Sequence, residues 1–173
     1  MMSLARFQDR ADLAARWLVV ACAFAVPLPA AWISILSGLF LIAWMLSGRF
    51  AARWAVIRSH PVARTSLLLL GWMALAIAWS PDSGAEAFGN WWQFRELLLL
   101  PLMLSVLDGN AQAWRPRVLA AFFAGFGIAL VTSFLRWGGV LPDMGFRGLY
   151  AGFGGRTGFS LMLAFVVFAS IEF

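Results

Sequence analysis

The chain alternates apolar runs with short polar interruptions, and this alternation predicts a series of membrane-spanning helices. The six runs cover approximately residues 13–26, 30–46, 62–79, 94–107, 118–135 and 159–171. A helix rises about 1.5 Å per residue and a hydrocarbon core is about 30 Å thick, so the shorter runs fall below the roughly 20 residues of a straight span. The pattern still predicts an all-α polytopic transmembrane bundle of about six spans.

The first two runs are separated by the sequence Pro27-Leu28-Pro29. Proline lacks a backbone N–H and restricts the residue before it, so a helix should break here. A helical hairpin and a single kinked span are both conceivable. The combined run exceeds about 30 residues, which is too long for one span without extreme tilt, and this favours the hairpin.

An arginine-rich segment without acids follows the second run, at residues 47–64. It contains Arg49, Arg53, Arg58 and Arg64, together with the only histidine, His60. Arginines beside membrane spans remain in the cytoplasm, so this segment and the N-terminus are expected there. The i, i+4 spacing of Arg49 and Arg53 predicts a short surface helix whose arginines reach lipid headgroups. We interpret His60 as a solvated loop histidine.

The polar stretch at residues 79–101 carries two acids, Asp82 and Glu86, before its first base, Arg95. Helix-start patterns occur at Ser80-Pro81 and, alternatively, at Ser83 with Glu86. Aromatic residues then recur with Arg95 at spacings of three and four residues, which predicts one face of a short interfacial helix on the outer side. This helix would bring Arg95 to the membrane surface.

The segment at residues 136–158 would also be on the outer side if all six runs cross. Its three arginines against one acid, Asp143, violate the positive-inside tendency. The glycine-rich part, GLYAGFGGRTG, fits neither the P-loop nor the dinucleotide pattern. One interpretation is a flexible loop. The other is an anion site in which Arg147, Arg156 and backbone N–H groups at a helix N-terminus bind phosphate or diphosphate.

Composition supports a membrane protein and excludes several other classes. The chain is 62% hydrophobic and 12% charged, whereas soluble domains are about a quarter charged. The net charge of +5 is scattered between apolar runs, which fits membrane sidedness better than nucleic acid. The single Cys22 is expected to be buried, and one cysteine with one histidine cannot form a zinc site. We predict neither a cofactor nor a metal, and no Ser-His-Asp or Cys-His set is present.

Four segments together give the chain a resemblance to a known family. They are AFAVPLPAAWISILSGLFLIAWMLSGRF, GWMALAIAWSPDSGAEAF, FRELLLLPLMLSVL and GRTGFSLMLAFVVFA. In their order and spacing they resemble the N-terminal part of the bacterial O-antigen ligase and O-antigen polymerase-like membrane proteins. Where members of that family often have histidine or asparagine before the sixth run, this chain has Thr157-Gly158.

The resemblance implies glycan transfer at the outer face of the bacterial inner membrane. The donor would be a glycan on undecaprenyl diphosphate and the acceptor a lipid-linked sugar, so the partners are membrane lipid and these substrates, without nucleic acid. Essential arginines and a histidine of the family lie mainly in a later outer loop. Residues 1–173 are therefore expected to form a single transmembrane domain, the N-terminal part of a longer protein, and to be inactive alone. Arg147, Arg156 and Arg95 are the candidate substrate-binding residues, and the catalytic residues are not assigned.

Two other functions fit the same pattern. One is half of a membrane transporter, although transporters often place charged residues in mid-span and these runs carry almost none. The other is a non-catalytic helical scaffold subunit that assembles with partner chains.

Overall fold

The computed structural model describes residues 4–79, 84–92, 94, 96–109, 111–140 and 155–172, and helices with short connecting turns make up this part of the protein. This agrees with the predicted all-α class. The eight α-helices are α1 (Leu4–Ala25), α2 (Ala30–Leu46), α3 (Phe50–Ser59), α4 (Pro61–Ala76), α5 (Gly84–Trp92), α6 (Glu96–Leu107), α7 (Ala111–Trp137) and α8 (Gly155–Glu172). A 3₁₀ turn, Ile77–Trp79, extends α4.

The breaks between the first helices follow from proline and glycine. Helix α1 ends at Ala25, just before Pro27, and α2 begins at Ala30, directly after Pro29. The helix break predicted at the two prolines is therefore confirmed. Between α2 and α3 the chain bends by 117°. Gly48 makes this turn with a φ of 64°, a left-handed conformation that costs glycine little. The bend directs α3 back toward the last turn of α2.

The prediction of about six membrane spans is wrong for the described residues. Only two helices are long and apolar enough to cross a membrane, Pro61–Trp79 and Ala111–Trp137. The bent pair α2 and α3 would raise the count to three if it formed one span. These two candidate spans contain the runs predicted at 62–79 and 118–135.

The other predicted spans fail for identifiable physical reasons. Helix α6 has only 12 residues, or about 18 Å, and the apolar part of α8 is Ser160–Ala169. Helix α2 has 17 residues and leads into the 117° bend. The run at 13–26 is continuous with the charged N-terminal segment in the single helix α1, whose five charged residues lie between Arg6 and Arg16. A hydrocarbon core about 30 Å thick disfavours both short helices and unpaired charge.

The chain divides into two compact units, and residues 1–16 and 42–111 form the first. Within it α4 packs mainly against α6, and α6 also contacts α3. Small buried residues, Ala63 and Ser66 on α4 and Ser105 on α6, allow these helices to approach closely. The indole Nε1 of Trp91 on α5 donates a hydrogen bond to the Leu70 carbonyl on α4 at 3.2 Å, so α5 is held against α4.

The second unit comprises residues 17–41 and 112–173. One close helix contact is at Gly125 of α7, where an added Cβ would lie 2.1 Å from the Phe24 carbonyl oxygen of α1. Ala129, four residues later, is also buried. The small-xxx-small spacing of these two residues predicts close packing, and the structure confirms it. Phe122 of α7 packs edge-on against Phe165 of α8 with ring centroids 5.3 Å apart.

Candidate functional site

A charged cluster in the first unit is centred on Asp12 of α1. Its Oδ2 is 2.9 Å from Nη2 of Arg16, one helical turn later. Its Oδ1 is 2.6 Å from Nη2 of Arg53 on α3. Helix α1 sets the first contact by i, i+4 spacing, and the turn at Gly48 brings α3 close enough for the second. One carboxylate therefore bridges two guanidinium groups.

Arg53 is held by more than its ion pair. Its side chain is 4% exposed, and Nη1 donates to the Trp44 carbonyl oxygen at 2.9 Å. That carbonyl lies in the last turn of α2, where helix carbonyls lack intrahelical partners and a cation is favourable. The guanidinium also lies over the Trp44 ring, 5.3 Å from its centroid. These contacts fix the arginine in position.

Burial lowers the pKa of Arg53, and the hydrogen bond and charge of Asp12 oppose this change. An arginine pKa is normally so high that the group stays protonated. Arg53 is therefore a permanent buried cation and depends on Asp12 for compensation. Removing one partner of such a pair costs about 3–5 kcal/mol, because the other charge is left buried and unpaired.

A second arginine, Arg49, makes a much more exposed ion pair. Its Nη2 is 2.5 Å from Oδ1 of Asp9, and the two side chains are 49% and 62% exposed. Exposed pairs contribute only about 0–1 kcal/mol, because water screens them. Arg49 can therefore exchange its partner at little cost, whereas Arg53 cannot.

The charged cluster borders a cleft of about 200 Å³ in the first unit. Its polar lining residues are Asp12, Arg16, Arg49, Arg53, Ser105 and Asp108. Ser105 itself is fully engaged, since its Oγ accepts a hydrogen bond from Trp44 Nε1 and donates one to the Leu102 carbonyl. Nε of Arg16 is buried and has no hydrogen-bond partner in the described part of the chain. The cleft can thus offer guanidinium donors to a ligand.

The substrate-binding residues predicted from sequence are not the residues of this cluster. Arg95 and Arg147 lie outside the described residues. Arg156 lies in the first turn of α8, and its side chain is likewise outside the described part. Their predicted role in phosphate binding stays a prediction. Of the predicted acids, Asp82 and Asp143 also lie outside the described residues, whereas Glu86 is in the first turn of α5.

The sequence placed Arg53 on an exposed helix face, and this is wrong. The helix exists as α3, but Arg53 points inward while Arg49, directly before the helix, remains exposed. The sequence offered one relevant signal, because this segment contains four arginines and no acid. A carboxylate partner for any of them therefore had to come from another part of the chain. Nothing in either segment identified Asp12 and Arg53 as partners.

His60 is the single non-helical residue between α3 and α4, and it is partly exposed. Its backbone N–H donates to the Val56 carbonyl, and its own carbonyl accepts from Arg64 N–H. Nδ1 is buried without a hydrogen-bond partner in the described residues. His60 is thus a connecting residue outside the helices, as predicted, but the burial of Nδ1 shows that its side chain is only partly solvated.

Comparisons with protein-family models, with curated proteins and with solved structures find no match for this chain.

Proposed function

We propose that this chain is part of a membrane glycan transferase of the O-antigen ligase type. It would act on a glycan carried by undecaprenyl diphosphate, in the assembly of lipopolysaccharide or another surface polysaccharide. The protein would lie in the bacterial inner membrane with a cytoplasmic N-terminus. The observation that carries the proposal is the resemblance of four segments, in order, to that family.

One structural feature supports the assignment of Arg156 to the substrate diphosphate. Helix α8 begins at Gly155, so Arg156 lies where the first backbone N–H groups of a helix lack intrahelical partners. Such a helix start favours anions, and a planar guanidinium pairs well with phosphate oxygens. In a transfer reaction these donors would offset the charge that develops on the departing diphosphate. Arg147 precedes this helix in the sequence and is proposed for the same role.

The proposal is tested by replacing both arginines with alanine in the full-length protein. Membrane vesicles would be supplied with an undecaprenyl diphosphate-linked glycan and a lipid-linked acceptor, and the transferred glycan measured over time. We expect the rate to fall about 10²–10³-fold, the usual effect of removing a group that stabilises transition-state charge.

Arg58 provides the matched control, because it is an exposed arginine on α3 that stacks on Trp54, 5.4 Å from the ring centroid. The R58A variant should retain the wild-type rate. An unchanged rate in the R147A/R156A double variant would reject the substrate role of these arginines. Absence of any transfer by the wild-type protein would reject the ligase proposal itself.

A further inference from the structure

We propose that the cleft between α1, α3 and α6 binds a phosphate group, with Arg16 and Arg49 as its contacting residues and Arg53 as a positioning residue. The phosphate would be carried by a membrane lipid headgroup or by a small soluble phosphate compound. This site is separate from the segment proposed for glycan transfer and does not rest on that function.

The size of the cleft fits a single polar group. Its volume of about 200 Å³ is far above the roughly 15 Å³ that one water molecule needs. It is below the range of about 300–1,000 Å³ that is typical of pockets enclosing drug-sized ligands. A headgroup-sized ligand is therefore the best match.

The charge around the cleft favours an anion. Asp12 is already shared between Arg16 and Arg53, so these three residues together carry one net positive charge. Arg49 adds a second positive charge whenever it leaves Asp9, and that pair is exposed to water. Asp108 at the cleft is exposed, so solvent and salt screen its repulsion of an anion.

The available donors also favour phosphate. Arg16 presents a buried Nε without a partner among the described residues. Arg49 reaches the cleft with a half-exposed guanidinium. Each guanidinium carries five N–H donors in a planar arrangement that matches phosphate oxygens. The Nη groups of Arg53 donate to the Trp44 carbonyl and to Asp12. Arg53 is therefore assigned a positioning role at the wall of the cleft and not a direct contact with phosphate.

The surroundings of the cleft suggest that lipid can supply the phosphate. Phe50 and Trp54, both on α3, are 47% and 51% exposed. Exposed aromatic residues of this kind are typical of the level of lipid headgroups. A lipid with its acyl chains beside these rings would have its phosphate near Arg49.

The experiment measures binding of a fluorescent phosphatidylglycerol to the full-length protein in non-ionic detergent. The R49A variant should bind at least about tenfold more weakly, because it loses charge-assisted hydrogen bonds. The D9A variant should bind up to about fivefold more tightly, because Arg49 is released from its exposed partner. The R58A variant is the control and should bind like the wild type.

Competition identifies the source of the phosphate. Displacement of the labelled lipid by millimolar inorganic phosphate would show that the phosphate group alone suffices, whereas displacement only by unlabelled phosphatidylglycerol would assign the site to lipid. Equal losses in R49A and R58A would overturn the proposal, since they indicate non-specific attraction. Unchanged binding in R49A, or weaker binding in D9A, would overturn it as well.

Discussion

Asp12 and Asp9 lie on the same helix, three residues apart, and both pair with arginines from the segment after α2. The difference between them is access to water. Asp12 and its partner Arg53 are 11% and 4% exposed at their side chains, whereas Asp9 and Arg49 are 62% and 49% exposed. Because water screens an exposed ion pair, only the Asp12–Arg53 pair should contribute substantially to the free energy of unfolding.

The D12A variant is therefore expected to lose about 3–5 kcal/mol of unfolding free energy, because Arg53 remains buried without its carboxylate. The D9A variant should lose at most about 1 kcal/mol. Denaturant unfolding in detergent micelles, followed by tryptophan fluorescence, measures both. Equal losses in the two variants would contradict the difference in burial on which this prediction rests.

At the scale of elements, the contact between α1 and α7 depends on a glycine, which has no side chain to keep the two helices apart. Gly125 leaves room for the Phe24 carbonyl, and any Cβ there would lie 2.1 Å from the oxygen. Because that atom belongs to the backbone, relief requires the two helices to separate. Gly127 of the same helix has no neighbouring atom within 4 Å of its would-be Cβ.

The G125A variant should accordingly be destabilised by about 1–3 kcal/mol, the usual cost of overpacking. The G127A variant should be as stable as the wild type or gain up to about 1 kcal/mol, because alanine is the better helix former. Thermal unfolding in the same detergent compares the two. A stable G125A protein would show that α1 and α7 are not in backbone contact at this position.

The sequence predicted helix positions well where local chemistry determines them. The prolines at 27 and 29 break the helix, and α2 has the bounds of the apolar run at 30–46. The inward orientation of Arg53 was not predictable, because its carboxylate partner is 41 residues away. Nor does hydropathy reveal how long each helix will be. The run at 94–107 is as apolar as a span, yet α6 has 12 residues.

At the scale of the whole molecule, the number of crossings decides which arginines share a side. Membrane sidedness follows from counting crossings along the chain. With Pro61–Trp79 and Ala111–Trp137 as the two spans, residues 138–156 return to the side of Arg49–Arg64. Under that count the violation of the positive-inside tendency at 136–156 disappears, but Arg147 and Arg156 would lie on the side opposite the outer face, where the proposed glycan transfer takes place.

Cysteine labelling tests this arrangement. Val140 is 69% exposed and Ser59 is exposed at the end of α3, so V140C and S59C can each be introduced after replacing the buried Cys22 with alanine. Two crossings predict that an impermeant maleimide labels both positions only after the membrane is permeabilised. Labelling of V140C alone in intact cells would require an odd number of crossings between them. That outcome would contradict the two-span count and agree with the outer-face reaction implied by the family resemblance.

The two arginines that pair with Asp12, Arg16 and Arg53, are synthesised at different times. Arg16 follows only four residues later, so it can neutralise the carboxylate as soon as the first turns of α1 form. Arg53 is made 41 residues after Asp12, when α2 has already been synthesised. Asp12 therefore has a counter-charge within its own helix before Arg53 is made. Arg53, which is made later, joins the beginning of the chain to the end of α2 through its contacts with Asp12 and the Trp44 carbonyl.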